Sequence, residues 1–437
     1  MPHPDPRHVL LLSMHTSPVD QPGSGDAGGL NVYVWHLARA LAQAGWRVDM
    51  ATLDRDPDHD AGVRGATVAN GVRLLTVALP GAAQTPKGGL PGFAPQFGRA
   101  LAAHYDREGA FPDVLHAHYW LSGVAALEAA AVEEARGEDV PAVLTLHTSA
   151  AAKNLRAGPD ESPEPRERED AERDAVARAC RTIVNTPAER EQVVELYGAR
   201  PERVVVIPPG VDTTVFHPGA ARPVLGPSDR DSNRDSDLDA AREATDPARP
   251  FTVLCAGRVQ PLKGQQVLVR ALGLLRREHP ETPVRLVLAG VGAPEFLDRL
   301  HELAAEEGVT DAVQFLGSLP RPELAGLMGA VDAVAVPSSS ETFGLVAVEA
   351  QACGTPVMAT DVDGLRYAVR DGETGWLVPG RDPADWAKAV HRAASEPELW
   401  RSMSPAAQAR AQELTWDDVA AAHARTYLAC ARPAPSA

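Results

Sequence analysis

Positive charge is what this chain has least of for its size. Lys and Arg number 42 against 59 Asp and Glu, a formal net charge of -17 over 437 residues. Such an acidic surface excludes nonspecific binding to nucleic acid or to anionic membrane, both of which need a basic face. Cysteine is scarce as well: Cys180, Cys255, Cys353 and Cys430 are widely scattered, with no C-x-x-C pair. Their spacing argues against a disulfide framework or a zinc site and predicts buried, reduced thiols of a cytoplasmic protein. No stretch of about 18 apolar residues is present to cross a membrane, and no signal-peptide core precedes the first strand-like run. Nor is there a repeat of about 20–50 residues. What remains, 44% apolar and 23% charged residues, is an ordinary globular composition, long enough for two or three domains. In so acidic a chain, isolated Arg and Lys beside Gly-rich turns become the informative cations.

Short β-branched or Leu-rich runs alternate with helical stretches throughout. His8–Met14, Arg47–Leu53, Val114–His118, Ala142–Thr148, Thr182–Thr186 and Val204–Pro208 read as strands. Between the first two, Val34, Leu37, Leu41 and Ala44 fall at helical spacing. After Pro208 the pattern stops. Pro218–Pro250 contains GPSDRDSNRDSDLD, nearly free of large apolar side chains, and reads as an insert or linker that buries too little to order itself. A second series follows: Thr252–Arg258, Val284–Gly290, Val313–Gly317, Ala333–Ser338, Pro356–Thr360 and Gly375–Pro379. Alternation of this kind predicts an α/β chain of two doubly wound parallel-sheet domains, with ligands at the strand C-termini.

Gly23-Ser24-Gly25-Asp26-Ala27-Gly28-Gly29 contains a literal G-x-G-x-x-G and leads into a helix at about Asn31. A dinucleotide fingerprint puts its first glycine directly after the strand, whereas His15–Pro22 intervene here. A ligand-facing loop, a plain turn and a dinucleotide site therefore remain open readings. Gly257-Arg258 and Lys263-Gly264 bracket a second glycine-bounded loop that opens a helix. There a guanidinium and an ammonium could hold a diphosphate against helix N–H groups. The third motif is Glu341-Thr342-Phe343-Gly344-Leu345, with Glu349 eight residues after Glu341. At about 100° per residue the two carboxylates would share one face. Leu345, Val346, Val348 and Ala350 imply a helix buried all round, where an unpaired Glu349 would be costly.

The E-x-F-G-x-x-x-x-E spacing, with G-R-x-x-x-x-K-G upstream, resembles the retaining GT-B glycosyltransferases of family 4, group 1. HTSPVDQPGSGDAGGLNVYV, LHAHYWLSG, HTSAAAKN and IVNTPAEREQ are similar to the subfamily of mycothiol biosynthesis, which moves N-acetylglucosamine from a uridine diphosphate donor to inositol 3-phosphate. The resemblance covers nearly the whole chain outside Pro218–Pro250. It implies two Rossmann-like domains facing each other across a cleft: 1–215 for the acceptor, a linker at 216–250, and 251–415 for the donor. A C-terminal helix of about 416–437 would pack back on the first domain. Arg258 and Lys263 would then hold the donor diphosphate, Glu349 the ribose and Glu341 the transferred sugar. Gly28, Gly29, Asn31, Leu319, Phe343, Gly344 and Leu345 would complete the donor site, and His147 would line the reaction centre. Lys87, Tyr119, Thr148 and Arg168 would grip the acceptor phosphate.

The sequence departs from the family at Gly290-Val291-Gly292-Ala293, at Asp363, where a Gly is expected, and in the long insert. A specialised-metabolite acceptor such as the thiol ergothioneine is the runner-up, a nucleotide-sugar epimerase or NAD-dependent oxidoreductase the reading from another class. Asp229-Arg230-Asp231 and Asp235-Ser236-Asp237 spell D-x-D, but inside the insert rather than at a strand end. His15, His116, His118 and His147 lack zinc-type helical spacing. The expected mechanism needs no metal and no cofactor. Arg258, Lys263 and helix amides would stabilise charge growing on the leaving phosphate, which would itself accept the acceptor's proton. The expected partners are a nucleotide sugar and a small acceptor, with a homodimer allowed and no nucleic acid or membrane.

Overall fold

The computed structural model describes residues 7–21, 28–156, 162–220 and 249–431. The Gly23–Ala27 part of the glycine-rich loop, both D-x-D triplets and most of the insert lie outside the described residues. The chain divides into two compact units: residues up to Gly210 with those from Trp416 on, and Val211–Thr415.

In the first unit β1 (His8–Leu12), β2 (Arg47–Leu53), β3 (Gly62–Ala69), β4 (Val72–Ala78), β5 (Val114–His118), β6 (Ala142–Thr145), β7 (Arg181–Val184) and β8 (Val204–Val206) form one sheet. Its order is β3-β4-β2-β1-β5-β6-β7-β8. Every pairing is parallel except β3 with β4, an antiparallel hairpin turned at Asn70-Gly71. Helices cover both faces, so β1 and β5 are buried along their whole length. Alternation sends Leu115 and Ala117 of β5 into one apolar layer and His116 and His118 to the other face. On that face the helices Gly29–Gln43 and Trp416–Ala431 supply polar partners: Tyr427 Oη lies 2.7 Å from His116 Nδ1, and Tyr33 Oη 3.1 Å from His423 Nε2.

Two expectations need correction here. Cys180 and Cys430 are joined by a disulfide, with Cα atoms 6.0 Å apart at a sequence separation of 250. Only the return of the C-terminal helix to the first unit brings them together, a proximity that sequence spacing cannot show. Cys255 and Cys353 are buried free thiols, pushed up to about 12 by burial. The linker also starts later than residue 216. Phe216 is fully buried in the core of the second unit, and Val211 N–H donates to Leu414 O at 2.8 Å.

The second unit holds β9 (Phe251–Ala256), β10 (Val284–Ala289), β11 (Val313–Gly317), β12 (Ala333–Val336), β13 (Val357–Thr360) and β14 (Gly375–Val378). All pair parallel in the order β11-β10-β9-β12-β13-β14. The winding reverses between β9 and β12, as it does between β1 and β5 in the first unit. The loops after those four strands are therefore where a doubly wound sheet opens to ligands. No helix among the described residues is long and apolar enough to cross a membrane.

Candidate functional site

In the second unit, the loops after β9 and β12 meet. The β9 loop runs through Arg258 and a 3-10 turn, Pro261–Lys263, to Gly264, which opens the helix Gln265–Glu278. Gly264 sits at φ +80°, and a Cβ there would fall 2.2 Å from Pro337 O, so only glycine lets the loop lie against the β12 end. Buried Gln265 fastens the loop from beneath, its Nε2 donating to Arg258 O at 3.0 Å. On the neighbouring side Val259 N–H donates to Val291 O at 2.8 Å, so the atypical Gly290–Ala293 segment braces the Arg258 loop. Arg258 makes no ion pair among the described residues, whereas Lys263 Nζ is paired with Glu341. Ser338 Oγ donates to the same carboxylate at 3.0 Å.

Glu341 and Glu349 do not share a helical face. Gly344, at φ +100°, breaks the chain between them, and the helix is only Leu345–Ala352. They are held by different cations instead. Glu349 is 6% exposed and lies 3.0 Å from Arg321 Nη1, whose guanidinium covers the Phe216 ring at 4.8 Å. Burial raises the Glu349 carboxyl above its ordinary value, against the pull of Arg321. Arg321 went unrecognised in the sequence. The signal was indirect, since a carboxylate in an apolar helix demands a cation without saying which. Phe343 is buried in the core and Leu345 and Leu319 pack against it, so these three shape the loops from within.

In the first unit, Tyr119 and His147 end adjacent strands, and both have positive φ, 76° and 60°. Non-glycine residues take this conformation at a cost, which makes it a pointer to function. Only Asp363, in the loop after β13, joins them among the described residues, and Ser340 Oγ donates to its carboxylate at 2.8 Å. Tyr119, Thr148 and Arg168 come together. The Arg168 guanidinium lies over the Tyr119 ring at 4.9 Å and donates to Thr148 Oγ1 at 2.9 Å. Arg168 is 4% exposed and turned inward from the Arg/Glu-rich helix Arg166–Arg178. Its Nε donates at 2.7 Å to Glu172, whose other oxygen takes Ala150 N–H at 2.8 Å and the Tyr197 hydroxyl. Lys87 stands exposed at the start of the 3-10 helix Lys87–Phe93.

His147 Nε2 lies 2.9 Å from His118 Nδ1, so one ring donates and the other accepts. Burial, then the charge of His15, depresses His147 to about 3, and burial depresses His423 to about 4. His116 and His118 are also shifted well down by burial. All four are neutral at physiological pH. Asn31 is buried, and its amide donates to Thr16 Oγ1 at 2.8 Å and Ser17 O at 2.6 Å, while its Oδ1 takes Gly28 N–H at 2.8 Å. Gly28 and Gly29 thus open a helix whose entrance Asn31 ties to the β1 loop.

Residues 27–215 match the family model described as Glycosyltransferase Family 4, and residues 239–410 that of Glycosyl transferases group 1. The chain is 42% identical to a protein of Pseudarthrobacter chlorophenolicus named D-inositol 3-phosphate glycosyltransferase, over 97% of this chain and 95% of that one. A protein of the same name from Kribbella flavida is also 42% identical, over 98% and 96%. Among solved structures, the chain resembles sucrose-phosphate synthase of Thermosynechococcus elongatus with TM-score 0.80 and 28% identity, covering 97% of this chain and 98% of that one. Anabaena HepE, solved with UDP and glucose, shares the fold at TM-score 0.68 and 22% identity, over 96% and 98%.

Proposed function

From the premise that this chain belongs to the group 1, family 4 glycosyltransferases of GT-B architecture, we propose that it moves N-acetylglucosamine from a uridine diphosphate donor to 1D-myo-inositol 3-phosphate with retention. One observation carries the acceptor assignment: Thr148 and Tyr119 meet at the buried guanidinium of Arg168, beside two strand ends with positive φ. In an acidic chain, such an arrangement is built for an anion. The relatives named for inositol 3-phosphate support it.

In the second unit Arg258 and Lys263 would hold the diphosphate, with N-terminal amides of the helix that follows Gly344. Negative charge grows on the β-phosphate as the glycosidic bond breaks, and donors already in place stabilise it without reorganisation. Glu341 would release Lys263 to the phosphate and take a sugar hydroxyl, and Glu349 would take the ribose. The departing phosphate would accept the proton of the attacking hydroxyl, which requires no side-chain base. Neutral His147 could donate a hydrogen bond to the sugar but not supply charge. The proposed chemistry requires no divalent metal.

A mass-spectrometric screen of several nucleotide sugars against inositol 3-phosphate, inositol and ergothioneine, each with and without EDTA, tests the reading. A product from the N-acetylglucosamine donor and inositol 3-phosphate, formed equally with EDTA, is expected, and the NMR coupling of its anomeric proton should show the donor's configuration retained. Transfer to ergothioneine alone would overturn the acceptor; loss of rate restored by Mg²⁺ would overturn the metal-free mechanism.

A further inference from the structure

Arg168 has one exchangeable edge. Its Nε is fixed on buried Glu172, its Nη2 on Thr148 Oγ1 and on Thr148 O at 3.2 Å, and its face on the Tyr119 ring. The remaining nitrogen, Nη1, meets Glu164 Oε2 at 2.8 Å, and that carboxylate side chain is 25% exposed. The other oxygen of that carboxylate, Oε1, receives Lys153 Nζ at 2.8 Å. One carboxylate thus spans two cations from different helices, Ala150–Arg156 and Arg166–Arg178. Exposure falls from Lys153, at 46%, through Glu164, at 25%, to Arg168, at 4%, so a ligand reaches the guanidinium through the place that Glu164 fills.

The Glu164 backbone is fastened from both sides. Its N–H donates to Asn154 Oδ1 at 2.7 Å, and its carbonyl accepts from Asn154 Nδ2 at 3.2 Å. The side chain can therefore rotate away while the segment stays in place. Burial alone would raise this carboxyl. Lys153 and Arg168 nevertheless hold it below its ordinary value, as expected of an anion that two cations share.

Two oxygens of a phosphomonoester are spaced nearly as those of a carboxylate, and a dianion carries twice the charge. We propose that Glu164 is a displaceable counter-ion, and that Lys153 is a further specificity residue that, with Arg168, grips the phosphate of the acceptor once Glu164 swings out. The proposal rests on the reading that the acceptor carries a phosphate.

Equilibrium titration of the full chain with inositol 3-phosphate, inositol and inorganic phosphate tests it, comparing wild type with Glu164→Gln and Lys153→Gln. Removing the competing carboxylate is expected to tighten inositol 3-phosphate and inorganic phosphate by about 3- to 10-fold, and removing the ammonium to weaken both by a similar factor, the scale of one partly exposed charge pair. Neither variant should change binding of unphosphorylated inositol or the KM for the donor. If wild type binds inositol 3-phosphate and both variants bind it equally well, the placeholder is overturned and the acceptor reading stands. If wild type does not bind inositol 3-phosphate, the acceptor reading fails. The inorganic phosphate arm then decides for the two-cation grip by the same pair of shifts, and against it by their absence.

Discussion

Lys263 and Glu341, 78 residues apart in sequence, form an ion pair that joins the loops on either side of the second unit's topological switch. The pair holds the cation next to where a diphosphate would rest. It also makes Glu341 a group whose partner changes when donor binds. Both side chains keep some solvent contact, at 29% and 18% exposure, so the pair itself contributes little stability.

Lys263→Ala should accordingly separate catalysis from folding. We expect kcat/KM to fall by about 10²- to 10³-fold, the usual consequence of deleting one donor aimed at developing charge. The melting temperature should stay within about 2 °C of wild type. A loss of activity matched by a large loss of stability would place Lys263 among the structural residues.

Glu349 predicts the opposite trade. Its carboxyl is raised, so it favours the folded state when protonated and opposes it once ionised. The penalty grows as pH rises above the ordinary carboxylate value. Arg321, 26% exposed over Phe216, keeps water contact if its partner is removed. Glu349→Gln should therefore leave the melting temperature unchanged or up to about 2 °C higher, while raising the donor KM by roughly tenfold or more through a lost charge-assisted hydrogen bond. A drop beyond about 5 °C with unchanged donor KM would make the residue purely structural.

The buried histidines set a different pH window. A histidine depressed in the fold binds its proton first in the unfolded chain, so stability is full above about 6.5 and falls as pH drops toward the folded value. For His147 and His423 the lower ends are about 3 and about 4. Thermal melts between pH 7.5 and 5 should show a steady decline in melting temperature, and His423→Gln should make it shallower. Asp49, held down by His8 and Arg73 against burial, would give way only at more acid pH, so it does not account for that decline. An unchanged slope in the variant would remove His423 from the account.

Much of this was legible in sequence where the signal was local. All twelve expected strand runs contain a strand, because each is rich in β-branched or other apolar residues even where polar ones such as Asp49, His116 and His118 interrupt it. The hairpin β3–β4 was missed although Asn70-Gly71 marks its turn, since β3 is half-exposed and carries little apolar pattern. Tyr119, Thr148 and Arg168 were singled out by resemblance, yet nothing in the spacing showed that they touch. Arg321 with Glu349 and the Cys180–Cys430 bond depend on long-range topology alone. The common face assigned to Glu341 and Glu349 failed for a local reason: helical angles do not run through a left-handed glycine.

The disulfide closes a loop of 250 residues and ties the Trp416–Ala431 helix to the start of β7. In urea without reductant, only Cys255 and Cys353 should react with a thiol reagent, and all four should react after reduction. Cys430→Ser should lower stability by about 2–4 kcal/mol, read as a lower urea midpoint. Four reactive thiols in the unreduced protein would show that the pair is not bonded in solution.

Lys87 and Arg168 were assigned one role, but their settings make their variants behave differently. Arg168 is buried, bonded to Glu172 and Thr148 and stacked on Tyr119, so Arg168→Ala strands Glu172 in the core and costs stability as well as acceptor binding. Its effect on KM alone would prove little. Lys87 is exposed at the start of its 3-10 helix, and its loss should leave the fold intact. Lys87→Ala is therefore the cleaner test of the acceptor phosphate. A charge-assisted bond to phosphate is worth about 1.5–3 kcal/mol, so the KM for inositol 3-phosphate should rise by roughly 10- to 100-fold with the donor KM unchanged. Unphosphorylated inositol should be a poor substrate for the wild type, and the variant should discriminate less between the two. An unchanged acceptor KM in Lys87→Ala, with a normal melting temperature, would remove Lys87 from the phosphate site and leave the recognition to Arg168 and its neighbours.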